Sequence, residues 1–166
     1  MESSSPTLSV VSYNCRGFNS SMPDVYELLQ NYQTVFLQDT WLAKLQLDKL
    51  STICPNHYTD GRADFDFGDG IFLGRGHGGT AIYWSKDIKA STFSNCDGSI
   101  IGLRVSLANS DLCLVNVYLP CCCPNNTDDF LEYLGKIKSL CDDLQCPNIC
   151  FMGTLMPAPV TLLGHY

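Results

Sequence analysis

Three polar side chains stand where apolar, strand-like runs stop. Asn14 follows Thr7-Leu8-Ser9-Val10-Val11-Ser12-Tyr13, Asp39 follows Val35-Phe36-Leu37-Gln38, and Tyr118 lies near the end of Leu112-Cys113-Leu114-Val115-Asn116-Val117-Tyr118-Leu119-Pro120. Ligands and catalytic groups of layered sheets gather beyond strand ends, where the scaffold is rigid but the loops are free to vary. A carboxylate such as Asp39 is the hard oxygen ligand that Mg²⁺ takes, usually roughly one or two per site with several waters. Asn14 can orient a metal-bound water or a phosphate oxygen without adding charge, and the Tyr118 hydroxyl can donate to a phosphoryl oxygen. Each residue alone also has a structural reading. Asp39 can cap a helix starting at Thr40, Asn14 can close an Asx-turn, and Tyr118 can be core.

Other motifs carry less chemistry. Gly74-Arg75-Gly76-His77-Gly78-Gly79 lacks the Gly-Lys-Ser/Thr of a phosphate loop and precedes a strand, so it predicts a hairpin or substrate-side loop. Cys121, Cys122, Cys123, Cys141, Cys146 and Cys150 do not form matching C-x₂-C knuckles, so structural zinc is not expected. Asp60, Asp64, Asp66 and Asp69 read as a solvated acidic loop, because their spacing fails the EF-hand pattern.

The elements that must position these residues follow from periodicity. Residues 7–13 alternate apolar and small polar side chains and predict a strand. Ser20-Ser21-Met22-Pro23 predicts a helix start, with Val25, Leu28, Leu29 and Tyr32 on one face. Residues 34–38 predict a buried strand, 42–53 a short helix, and Gly61 to Gly79 a loop or hairpin. Four strands follow at 79–84, 88–93, 100–107 and 112–118, separated by turn signals. Thr127 can cap a helix over 127–144, with Phe130, Leu134, Ile137, Cys141 and Leu144 facing the core. Residues 148–152 predict a last buried strand. This is a layered α/β (α+β) plan with sheet faces covered by helices.

Composition narrows the function. The 166 residues are 45% hydrophobic, with 8 Tyr, 8 Phe and 2 Trp, which excludes a disordered chain. No run approaches the ~20 apolar residues of a membrane helix. Net charge is −7, so passive, charge-driven binding of nucleic acid is not expected. An enzyme that gathers carboxylates around a divalent cation can still be acidic, because the metal supplies the positive charge facing phosphate. Met1 to Pro6 has no basic region of a secretory signal. The 10 cysteines, several inside apolar runs, then predict reduced, buried thiols in a nuclear or cytoplasmic protein that is not secreted.

Five segments occur in a telling order: Ser12-Tyr13-Asn14-Cys15-Arg16-Gly17, Val35-Phe36-Leu37-Gln38-Asp39-Thr40-Trp41-Leu42, Gly78-Gly79-Thr80-Ala81-Ile82, Val115-Asn116-Val117-Tyr118-Leu119-Pro120 and Ile149-Cys150-Phe151-Met152-Gly153. Together they resemble the endonuclease/exonuclease/phosphatase superfamily, and within it the apurinic-type endonuclease domain of non-LTR (LINE-type) retrotransposons. The resemblance implies a four-layered α/β sandwich of DNase I-like type, of which residues 7–153 would form part. Residues 1–6 would be a disordered N-terminus and 154–166 an unrelated, disordered tail. It also implies Mg²⁺, or Mn²⁺, as cofactor and DNA as partner, with no membrane and no obligate protein partner. Asn14 matches the family's strand-end Asn at the metal–phosphate site, Asp39 takes the place of its metal-binding Glu, and Tyr118 matches its active-site Tyr. Arg16, Arg75 and His77 become candidate contacts to nucleic acid.

The departures decide how that resemblance is read. Asp39 is one methylene shorter than Glu, and Mg²⁺ tolerates little error about its ligand distances of about 2.0–2.1 Å. Where the family has Gly-Asp-Phe-Asn, this chain has Gly153-Thr154-Leu155-Met156. Thr154 occupies the place of the water-activating Asp and Met156 that of the Asn; neither is a general base near neutral pH. His165 lies too close to Met156 to stand for the family's distant catalytic His. The sharp edge after Gly153 predicts a truncated domain. The expected function is a Mg²⁺-dependent phosphodiester-hydrolysing, DNA-nicking domain of retrotransposon descent, inactive or strongly impaired. The alternative is a non-catalytic remnant or binding module.

Overall fold

In a computed structural model, the structure describes residues 7–66, 77–119 and 127–154. Two four-stranded sheets pack face to face. The first has the order β1 (Val10–Asn14), β2 (Thr34–Gln38), β4 (Thr80–Ser85), β3 (His57–Arg62). The second has the order β5 (Ala90–Ser94), β6 (Ile101–Ser106), β7 (Asp111–Tyr118), β8 (Ile149–Thr154). Two pairs are parallel, β1 with β2 and β7 with β8, and the other four are antiparallel.

Side-chain alternation on β2 and β7 explains the layering. All five residues of β2 are buried, because both of its faces are covered. Val35 and Leu37 pack on Phe18, Val25 and Leu29 of α1 (Phe18–Asn31), while Phe36 turns the other way onto Ile101, Leu103 and Leu114. On β7, Leu112 and Leu114 face the first sheet, whereas Val115 and Val117 face Leu140, Ile137 and Leu144 of α2 (Thr127–Leu144). The layers run α1, first sheet, second sheet, α2, the expected four-layered sandwich plan.

Several elements differ from expectation. Helix α1 starts at Phe18, so Pro23 sits inside it rather than at its start. The cause is tertiary: the Phe18 N–H donates to Thr40 O (2.8 Å) and the Gly17 N–H to Asp39 O (2.8 Å), which fixes the first turn ahead of the proline. Strand β3 was not expected, since His-Tyr-Thr-Asp-Gly-Arg has little strand propensity. It forms on β4, where Gly61 lets the strand lie close under Leu50: a Cβ there would come 2.5 Å from Leu50 Cδ1. A short 3₁₀ helix covers Lys44–Thr52, within the segment expected to be helical. The buried stripe of α2 is rotated: Tyr133, Ile137, Leu140 and Leu144 pack inward, while Leu134 is exposed and Cys141 half-buried. Strand β8 is not a buried strand: at the edge of its sheet among the described residues, it leaves Phe151 50% exposed. Cys150 is exposed with it, so not all of the thiols are buried.

The turn between β5 and β6 is clasped to α2. Asp97 accepts from the Ser99 hydroxyl (2.6 Å) and N–H (2.9 Å) and from Lys136 Nζ (3.0 Å), and these donors, Ser99 first, hold its carboxyl far below the usual range. A depressed carboxylate contributes stability that is complete above its unfolded pKa of about 4 and is lost as pH falls through the lower folded value. Asp97→Asn is therefore expected to lower stability near pH 7, where the carboxylate's contribution is complete, and to flatten the acid limb below about pH 4, where the parent loses it. Urea midpoints across about pH 2–7 check this, since that range covers the unfolded pKa and the fall below it; a pH 7 midpoint and acid limb both unchanged would sink it.

Candidate active site

The strand ends converge through a buried polar stitch. Gln38, the last residue of β2, and Asn116 of β7 are both fully buried. Gln38 Nε2 donates to Asn116 Oδ1 at 2.8 Å, and Asn116 Nδ2 donates to Leu37 O (3.1 Å) and Ala81 O (2.9 Å). Ser12 Oγ adds a bond to Gln38 Oε1 at 3.2 Å. This network joins β1, β2, β4 and β7 one layer behind the surface. Asn14, aligned with Gln38 across β1–β2, Asp39 and Tyr118 lie just beyond it.

Asp39 is held by the turn that carries it. Thr40 N–H donates to Gly79 O (3.2 Å) and Trp41 N–H to Gly78 O (2.9 Å). In return, Gly78 N–H (3.1 Å) and Trp41 Nε1 (2.7 Å) both donate to Asp39 Oδ1. Gly79 N–H donates to Asp64 Oδ2 at 2.8 Å. Gly78 and Gly79 have φ of +62° and +82°, and a Cβ on Gly79 would lie 2.5 Å from Thr40 Oγ1, so the pair needs glycine. Arg16, Asp39 and Trp41 are left-handed too, with φ of 46°, 59° and 56°. Such outliers cost about 1–3 kcal/mol each and cluster at functional sites. Three backbone bonds from Cys15, Gly17 and Phe18 to Gln38, Asp39 and Thr40 hold the turn in that state.

Several structural readings are now decided. Asp39 caps no helix at Thr40, because the next helix begins at Lys44 behind a non-helical Ala43. Asn14 does close an Asx-turn, its Oδ1 accepting Arg16 N–H at 3.2 Å. Tyr118 is half-buried and lines a cavity of about 320 Å³ with Asp64, His77, Gly78 and Tyr133. Tyr133 is shifted up by burial, and its hydroxyl is bonded to the Tyr118 backbone. Gly78, whose N–H donates to Asp39, also lines this cavity beside His77 and Tyr118, whereas Asp39 and Asn14 are not among its lining residues. Arg16 and His77 are exposed, and the His77 ring stacks on Phe65 (centroids 5.6 Å apart, 16° between planes). Thr154 ends β8 directly opposite Tyr118, so it belongs to the sheet rather than to a tail. Arg75 and Met156, and Cys121 to Cys123, lie outside the described residues. A wider hollow of about 680 Å³ over Tyr13, Asp24 and Tyr32 sits on the α1 face and contains none of the expected site residues.

Sequence reasoning missed Gln38, Asn116, Trp41 and Asp64 as parts of this arrangement. For Gln38 and Asn116 a signal existed: an amide inside an apolar strand run must find a buried partner. Asp64 carried none, because a carboxylate in an acidic loop looks solvated.

The Endonuclease/Exonuclease/phosphatase family profile matches residues 11–132. The chain belongs to this family. The match spans β1 through the first turns of α2, and so includes Asn14, Asp39, the Gly78-Gly79 turn and Tyr118. No curated protein sequence matches the chain. Solved structures of the same fold do. A Neisseria 3′ phosphatase, NExo, bound to product DNA hairpin, is 13% identical with TM-score 0.65, over 93% of this chain and 60% of its own. An AP endonuclease from Archaeoglobus fulgidus is 15% identical (TM-score 0.63; 89% of this chain, 56% of its own). The endonuclease domain of TRAS1, a telomere-specific non-LTR retrotransposon, is 14% identical (TM-score 0.60; 89% of this chain, 60% of its own). The chain thus spans about 60% of the length of these family neighbours. Among the described residues, no helix is long and apolar enough to cross a membrane.

Members of the family are generally metal-dependent, which gives the Asp39 turn a test. Among the described residues, no three His, Cys, Asp or Glu side chains cluster as a ready ligand set. Asp39 supplies a single oriented carboxylate, the type of oxygen ligand that a cation keeping several waters, such as Mg²⁺, can use. The two N–H donors on Asp39 Oδ1 fix the carboxylate's orientation, as donors behind metal ligands do elsewhere.

Proposed function

We propose that this chain descends from a Mg²⁺- or Mn²⁺-dependent DNA-nicking endonuclease of a non-LTR retrotransposon, and that its own hydrolysis is lost or strongly impaired. The fold shared with the TRAS1 endonuclease domain supports the descent. The observation that carries the impairment is Thr154, the residue that ends β8 in register with Tyr118, where the family resemblance calls for an Asp.

Each residue then has a role set by its chemistry. Asp39 would hold the metal, which when bound polarises the phosphodiester. Asn14, fixed by its Asx-turn, would orient a phosphate oxygen, and the Tyr118 hydroxyl would donate to a non-bridging oxygen. Arg16 and His77, exposed at the rim, would meet the DNA backbone. Thr154 cannot take a proton from water near neutral pH, and general-base assistance is worth roughly 10²–10⁴-fold. Asp39 cannot replace it while serving as ligand. A nuclear or cytoplasmic setting belongs to the same proposal and is supported by the free thiols of all seven described cysteines.

Plasmid nicking tests this. The chain is expected to leave supercoiled and abasic-site DNA uncut with Mg²⁺ or Mn²⁺, and Asp39→Ala to be indistinguishable from it. Nicking by the parent that Asp39→Ala abolishes would overturn the impairment and require a base elsewhere. Gel-shift binding of the same DNA without cleavage would favour the alternative, a non-catalytic DNA-binding module.

A further inference from the structure

Away from the strand-end site, two thiols meet on the α2 side of the second sheet. Cys113 on β7 is fully buried, and its side chain shares the face of Val115 and Val117 that packs under α2. Cys146 lies in the short connection from α2 to β8 and is half-buried. One backbone carbonyl holds both: Asn148 O accepts Cys113 N–H at 2.9 Å and lies 3.3 Å from Cys146 Sγ. Cys146 Sγ is also 3.4 Å from Asp111 O, two residues before Cys113 on the same strand. The Cys113 backbone and the Cys146 thiol thus meet at Asn148 O, at the start of the β7–β8 pairing. Arg104 closes the turn around them, donating to Asp111 Oδ2 (3.2 Å) and to Leu144 O (3.0 Å).

We propose that Cys113 and Cys146 form a redox-active dithiol that closes to a disulfide by exchange with a low-molecular-weight disulfide such as oxidised glutathione. The half-buried Cys146 reacts first: its thiolate attacks the glutathione disulfide, that S–S bond breaks, and one reduced glutathione leaves with the proton Cys146 gave up. The Cys113 thiolate then attacks the Cys146 sulfur, expels a second reduced glutathione, and forms the intramolecular bond. Two electrons pass from the protein thiols to the glutathione disulfide, and two protons go with the released thiols. The order follows from access, and burial, aided by the neighbouring Cys146 thiol, pushes the Cys113 thiol up to about 11 against the pull of Arg104. Closure would tie the α2–β8 turn to β7 and so fix β8, which pairs with β7 from Cys113 to Tyr118.

The test is thiol mapping of the 166-residue chain after incubation with oxidised glutathione, alkylation under denaturing conditions and peptide mass spectrometry. The parent is expected to yield a linked Cys113–Cys146 peptide, two hydrogens lighter than the sum of its parts, and to melt several degrees higher than the reduced chain, because a long loop is closed. Cys113→Ser is expected to retain glutathione on Cys146, since the resolving thiol is gone. Cys146→Ser is expected to leave Cys113 unmodified, and its melting point unmoved by glutathione. Two findings would overturn the proposal: a parent that accumulates stable glutathione on Cys146 with Cys113 free, or cross-linking spread over the exposed Cys96 and Cys150 instead. Mapping of the parent needs no variant to fold, so the outcome does not depend on the serine variants.

Discussion

Replacing Asn116 by leucine is expected to remove about 2–4 kcal/mol of stability, a large share of the roughly 5–15 kcal/mol typical of a domain. Leucine keeps the branched shape of asparagine, so no cavity is left, although its two methyls need more room than the amide and add some overpacking. What changes is hydrogen bonding between the sheets. Gln38 Nε2 loses its acceptor, and Leu37 O and Ala81 O each lose a donor, all in a region closed to water. A buried group left without its partner costs about 1–3 kcal/mol, more than an average hydrogen bond contributes. Asn116→Asp is expected to be at least as costly. It can still accept from Gln38, but it has no donor for the two carbonyls and brings a buried charge against them. Urea unfolding measures both. A lowered midpoint with an unchanged slope is the expected result for Asn116→Leu, and a loss under about 0.5 kcal/mol would show that the stitch is dispensable.

Those amides also show where the sequence was legible. The runs around Val35, Phe36 and Leu37 and around Leu114, Val115 and Val117 marked the two central strands, because burial on both faces demands continuous apolar side chains. The 3.6-residue spacing of Val25, Leu28 and Leu29 marked α1. Its start was misplaced because Pro23 is a strong local signal, whereas the bonds from Gly17 and Phe18 to the Asp39 turn are non-local. Strand β3 was invisible for a similar reason: β4 supplies its pairing, and its own residues supply almost none of the drive. At the site, residue types pointed to Asn14, Asp39 and Tyr118, and the fold places all three beyond one polar stitch. The left-handed backbone of Arg16, Asp39 and Trp41 had no sequence signature, since only glycine advertises positive φ.

Asp39 is expected to divide into two separable roles when alanine and asparagine are compared. Asp39→Ala removes the acceptor of two donors, Trp41 Nε1 and Gly78 N–H, and puts a Cβ-bearing residue without a local hydrogen bond at φ 59°. Bonds to a charged acceptor are worth about 1.5–3 kcal/mol, and left-handed backbone costs an ordinary residue about 1–2 kcal/mol. With partial relaxation the expected loss is about 2–4 kcal/mol, read as a lower urea midpoint. Asp39→Asn keeps an oxygen where Oδ1 stands, and asparagine tolerates the left-handed region, so its cost should stay near 1 kcal/mol or less (about the difference between charged and neutral acceptors). Metal binding separates the other way. If the carboxylate holds the cation, Mn²⁺ raises the melting temperature of the parent and of neither variant, because only a folded-state ligand stabilises by mass action. An asparagine variant as unstable as alanine would mean that the negative charge, rather than the acceptor geometry, holds the turn. A Mn²⁺ shift that survives in either variant would place the cation on other residues.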